Sequence, residues 1–242
     1  MSSSNASNFC ENLIPFGYCL VGRGMRHIPK PEDCPPKYFQ IYGCFCEGAI
    51  PDWDVFSEPE ENDFKPLAKK WKISETTARE LYKFCRSHAG EIDFTFLHFR
   101  NFEIACEVRK RFFADRNDIV LIGRAVLDPD FLNDIEIRKL EPLPTNGKLL
   151  GFDLYGSPEP FSDENIPRKP NWGERSNFSG LSCSLSCCIG NATLALRLGV
   201  PVNDIGFFQN SKDALSATEL VNREHLGEPI WYFPIALIQY YP

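Results

Sequence analysis

The chain has no apolar run close to the roughly 20 residues that would span a bilayer, so no transmembrane helix is expected. Its opening residues, MSSSNASNF, have neither a basic start nor a long apolar stretch. That pattern predicts no secretory signal, a disordered tail over residues 1–9, and a cytoplasmic location. Positive charge is in short supply: 26 Lys and Arg face 33 Asp and Glu, for a net charge of −7. With a pI near 5.2, the balance argues against a general nucleic-acid binder and fits an acidic surface or a basic partner.

Chemical signatures are equally sparse. Gly22-Arg-Gly24 lacks the third glycine of a dinucleotide fingerprint, and no phosphate-cradling loop ending in G-K-[ST] occurs, so no cofactor is expected. Cys44-Phe-Cys46, with Cys34 and His27 upstream, could offer four ligands, and Cys183, Cys187 and Cys188 could offer three. Neither set has the paired C-x₂₋₄-C spacing that holds zinc, so no metal is expected. Gly180-Leu-Ser182-Cys-Ser184 imitates half of a nucleophile elbow. Ser184, however, occupies the place where the second glycine lets strand and helix approach. Cys183 could pair with His225 or His98 as a thiol-imidazole couple, but no spacing fixes that pairing. No catalytic residue is assigned, and a thiol-dependent enzyme using Cys183 stays as an alternative.

Large apolar residues are plentiful. Twenty Phe, eight Tyr and four Trp suffice for a sizeable core, and 242 residues suit one compact domain. The expectation is a single domain over residues 10–242, with possible sub-lobes at 10–62 and 63–242. Without export, the ten cysteines are expected to be free thiols that pack as small hydrophobes.

The stretches "LIPFGYCLVG" and "YFQIYGCFC" read as strands between turns, which makes the N-terminal lobe strand-rich. Residues 51–63, "PDWDVFSEPEEND", read as an exposed acidic connection. From Asp63 the period becomes helical. Leu67 and Trp71, then Ala78, Leu81, Tyr82 and Cys85, share helix faces, with Ser74 as the N-cap of the second helix. "EIDFTFLHF" reads as a strand, "NFEIACEVRKRFFA" as a helix capped by Asn101, and "DIVLIGRAVL" as a buried strand. Further on, "KLLGFDLYG" is a strand, "NATLALRLG" a helix ended by Gly199, and "DIGFF" a strand. "SKDALSATELVNREHLG" is a helix ended by Gly227, and "PIWYFPIALIQYY" a last strand. The fold class is α/β or α+β, a mixed sheet with flanking helices.

Residues 64–88 also copy helix-turn-helix spacing. They carry five Lys and two Arg against Glu75 and Glu80, a net charge of +5 that leaves −12 to the rest of the chain. A DNA-binding regulator using this segment is therefore an alternative. Two features oppose it: Lys72 stands where the turn usually needs Gly, and the second helix offers bases no Asn or Gln.

"LLGFDLYG", "FSGLSCSLSC", a helix, "LGVPVNDIGFFQNSKDALSATELVNRE" and "EPIWYFPIALIQYY" together resemble the C-terminal region of small bacterial toxin-immunity proteins. These are the partners of polymorphic and contact-dependent toxins, and the resemblance covers roughly residues 149–241. It departs at Cys187-Cys188 and Gly190, where a polar "C-N-G"-like turn is the pattern. Such proteins bind and block a cognate toxin, so the resemblance implies a protein partner and no catalytic residues; the charge balance makes nucleic acid the less favoured partner, and the lack of a long apolar run argues against a membrane. In either reading, "SGLSCSLSCC" is a small-residue strand packed beneath a helix that starts near Asn191. The partner-binding candidates are Asp52, Trp53, Asp54, Phe56, Glu58, Glu60 and Glu61, where carboxylates steer and aromatics anchor a basic toxin.

Overall fold

The computed structural model describes residues 13–22, 47–50, 64–93, 98–127, 143–157, 191–203, 206–226 and 231–241. The fold is α+β: helices packed on an antiparallel sheet. Its first strand, β1 (Ile14–Gly22), carries β2 (Glu47–Ile50) on one edge. Helices α1 (Phe64–Trp71) and α2 (Glu75–Ser87) follow. Next come β3 (Ile92–Asp93), β4 (His98–Phe99), α3 (Phe102–Phe113) and β5 (Ile119–Val126). The chain continues through β6 (Lys148–Ser157), α4 (Asn191–Leu198), α5 (Ser211–Glu224) and β7 (Trp231–Tyr240). The strand order is β3-β4-β1-β5-β7-β6, and every pairing among the described residues is antiparallel. The last strand thus enters between β5 and β6.

Local chemistry explains where the helices begin. Ser74 Oγ accepts the Thr77 amide at 3.0 Å and starts α2. Asn101 Oδ1 accepts the Glu103 and Ile104 amides at 2.8 and 3.2 Å and starts α3. Leu67, Trp71, Ala78, Leu81 and Cys85 are buried, as their spacing predicts, and Tyr82 is half-buried. Helix α3 packs on β1 and β5, and α5 packs on β6 and β7. The α1–α2 pair leans on α3 through Trp71 against Phe113 and Phe84 against Phe112, with ring centroids 5.9 and 5.7 Å apart.

All eight residues of β5 are buried. Leu121 and Ala125 join Tyr18, Leu20, Ala236, Ile238 and Tyr240 beneath the helices. Val120, Ile122 and Val126 join Cys19, Val21, Phe233, Ile235 and Leu237 in a second cluster on the opposite face. An antiparallel sheet often leaves one face in water, but this one hides both.

Three expectations change. "EIDFTFLHF" is two short strands paired as Ile92↔Phe99 and Asp93↔His98, a hairpin instead of one strand. Among its described residues "DIGFF" supplies isolated bridges, Phe208 to Phe152 and Phe208 to Val202, instead of a strand. Helix α5 stops at Glu224, before Gly227, because His225 takes the left-handed conformation. The strand read at "YFQIYGCFC", the acidic connection at 51–63 and the segment "SGLSCSLSCC" lie outside the described residues.

Candidate functional site

The helix-turn-helix spacing of residues 64–88 folds as a rigid hairpin, and its turn corrects the objection raised against Lys72. Lys72 adopts φ 52°, the left-handed conformation that usually selects Gly. The Ile73 amide bonds back to Ala68 O at 3.0 Å and the Lys72 amide to Lys69 O at 3.3 Å, the two bonds of a Schellman stop. The same stop closes α4, with Gly199 at φ 68° and Val200 N to Ala195 O at 2.9 Å. It also closes α5, with His225 at φ 50° and Leu226 N to Val221 O at 3.0 Å. An apolar residue follows the left-handed one each time, and Ile73, Val200 and Leu226 all pack against the core. That apolar residue is the signal a search for glycine overlooks.

Arg116, between α3 and β5, holds the turn from outside. Its Nη1 donates to Trp71 O at 2.5 Å and to Lys72 O at 3.2 Å. Its Nε and Nη2 bind the two Asp118 oxygens at 2.7 and 2.5 Å, the fork geometry that suits Arg to a carboxylate. Hydrogen bonding to Arg116, with further attraction from Lys72, holds the Asp118 carboxyl below the usual range. Arg109, within α3, instead holds the passage from α3 to β5, donating to Phe113 O, Arg116 O and Ile119 O.

With the turn fixed, the hairpin exposes Lys65, Lys69, Lys72, Lys83 and Arg86. Glu75 and Glu80 are the exposed acids beside them on α2. The Arg79 guanidinium lies 4.4 Å from the Phe64 ring centre, and His88 stacks on Phe84 at 4.3 Å.

A second polar group is buried near the far edge of the sheet. Asp153 Oδ1 accepts from the Leu154 amide and from Asn191 Nδ2, both at 2.8 Å, and Asn191 Nδ2 also reaches Gly206 O at 3.2 Å. These bonds fix the start of α4 to β6. Arg124, only 2% exposed, bonds the Cys19 thiol across the second face. Burial pushes that thiol up, and the guanidinium opposes the shift. Sequence reasoning singles out neither Arg124 nor Asp153. The available signal is one charged residue inside an otherwise apolar strand, "IVLIGRAV" and "LLGFDLYG".

The partner-binding candidates Asp52, Trp53, Asp54, Phe56, Glu58, Glu60 and Glu61 lie outside the described residues, as do Cys183, Cys187, Cys188, Cys34, Cys44, Cys46 and His27. His98 sits in β4, and His225 is exposed at the end of α5. Among the described residues, no three His, Cys, Asp or Glu side chains come together as metal ligands would. No helix among them is long and apolar enough to cross a membrane. No protein-family model, curated protein or solved structure matches the chain.

Proposed function

We propose that the chain is a cytoplasmic binding protein of the toxin-immunity kind, which neutralises a basic protein partner by covering it. The observation that carries this reading is how the buried polar side chains of residues 149–241 are used: they hold backbone. Asn203 binds Leu150 O and the Phe207 amide, Asn222 binds both the amide and the carbonyl of Tyr232, and Thr218 binds Ala214 O. The described part of the region that carries the resemblance is thereby tied together as a scaffold, which leaves recognition to exposed charge. Outside residues 64–88 the formal charge of the chain is −12, the sign that steers a basic partner.

The test uses the product of a neighbouring toxin-like reading frame, with association measured at low and physiological salt. Reversing charge at Glu58, Glu60 and Glu61 should slow association about tenfold or more and flatten its salt dependence, with the dissociation rate little changed. Failure of the parent protein to bind that product, or association unaffected by the reversal, rejects the reading.

A further inference from the structure

We propose that the α1–α2 hairpin is a second binding surface, opposite in charge to the acidic candidates, which grips the phosphate backbone of nucleic acid without reading its sequence. Lys65 and Lys69 lie one turn apart on α1, and Lys72 follows at its end. On α2, Arg79, Lys83 and Arg86 recur at the four- and three-residue spacings that align side chains along one helix face. The two rows meet at an aromatic seam. Arg79 lies over Phe64, Arg86 lies 5.9 Å from the Tyr82 ring centre, and the Phe64 and Tyr82 rings are 5.7 Å apart.

The exposed, positively charged rows are complementary to a polyanion. Among the described residues, no carboxylate within ion-pairing distance holds Lys65, Lys69, Lys72 or Lys83. Lysine is a compact charge on a flexible stem that meets a phosphate as a point charge, and a row of such charges matches the row of phosphates along a nucleic-acid backbone. The arginines of this face already lie over rings. A turn held left-handed at Lys72 and clamped by Arg116 keeps the two rows in fixed relation, so little ordering entropy is lost on binding. Base reading has little to work with: the first turn of α2 exposes Glu75 and Thr76, and Glu75 repels phosphate. The −12 carried elsewhere weakens attraction to any polyanion. Beyond a screening length of about 8 Å at physiological salt that repulsion fades.

The experiment measures binding of the full chain to a labelled 16-base-pair DNA duplex by fluorescence anisotropy between 50 and 200 mM salt. Engaging the four lysines predicts a slope of log K against log salt of about −3 to −4. Two duplexes of unrelated sequence should bind alike. The variant Lys65→Gln/Lys69→Gln/Lys83→Gln, checked for the parent's circular dichroism spectrum, should bind at least ten times more weakly, with the slope reduced by about 2 to 3. No binding at 50 mM salt, or a triple variant that binds like the parent, overturns the proposal. Equal binding to poly-glutamate assigns the face to acidic proteins and overturns the nucleic-acid part. A tenfold preference between the duplexes overturns sequence independence.

Discussion

Asn222 does for the start of β7 what a neighbouring strand does along the rest of it. Its Nδ2 donates to Tyr232 O at 2.7 Å and its Oδ1 accepts the Tyr232 amide at 2.9 Å. The ladder to β5 begins only at Ile235, so Pro234, with no N–H to give, sits where that ladder has ended. Truncating Asn222→Ala leaves a buried amide and carbonyl unsatisfied and should cost about 2–4 kcal/mol in urea unfolding. Cysteine is the other residue whose fate burial decides. Cys19, Cys85 and Cys106 are free and buried, and burial together with Glu103 pushes the Cys106 thiol up to about 11. The Cys19 and Cys106 thiols, both pushed up, stay protonated near neutrality, and the thiolate is the reactive form. Peptide mapping after N-ethylmaleimide treatment at pH 7.5 should find all three unmodified in the folded protein and modified after denaturation.

Helix ends carry the measurable strain at the scale of elements. A left-handed lysine costs about 1 kcal/mol that glycine does not incur, so Lys72→Gly should stabilise the protein by about that amount. Gly199→Ala should destabilise it by a similar amount, because φ is 68° and nothing lies within 4 Å of the added methyl. At Gly151 the φ of 139° is joined by a clash, since a Cβ there would lie 2.7 Å from Phe207 Cβ and 2.9 Å from Phe208 O. Gly151→Ala should therefore cost more than Gly199→Ala in the same unfolding experiment. The clamp between α3 and the hairpin has its own signature in acid. Asp118 titrates below its unfolded value, so its contribution is present above the ordinary carboxylate range and is lost as pH falls through the folded pKa. With Arg116 and Asp118 side chains 22% and 37% exposed, solvent screens the pair and the effect is small. Asp118→Asn should lose stability less steeply than the parent between about pH 4 and pH 2, read from unfolding midpoints across that range.

For the whole molecule, the sheet is the organising layer and β1 is one of its inner strands. It pairs with β5 on one side and with β2 and β4 on the other, and it buries Tyr18, Cys19, Leu20 and Val21. The cluster beneath the helices runs without a break from Leu13 through Phe64 and Phe113 to Tyr240. A chain beginning at residue 63 would expose the β5 edge and lose Leu13, Tyr18 and Leu20 from one apolar face and Cys19 and Val21 from the other. It should fail to give the near-ultraviolet circular dichroism or the cooperative unfolding of the full chain.

Local physics made the helix starts, the helical faces and the long strands legible. A cap reaches two or three residues, and a helical or strand period repeats within a few, so Ser74, Asn101, Leu67, Trp71 and the strands at 14–22, 119–126, 148–157 and 231–240 follow from neighbours in the chain. Gly199 as a helix stop followed too, but the left-handed turns at Lys72 and His225 did not. Lys72 is held by Arg116, whose guanidinium reaches Trp71 O across 45 positions, and propensity alone would assign that place to glycine. The same separation hid the insertion of β7 between β5 and β6, the use of Asn222 as a substitute strand, and the meeting of Asp153 with Asn191 across 38 positions. The sequence by itself determined the elements and their apolar faces, because those depend on neighbours within one turn. The tertiary structure alone decided strand order, the clamp on the Lys72 turn and the partners of buried polar groups, because each is settled by a contact whose two halves are far apart in the chain.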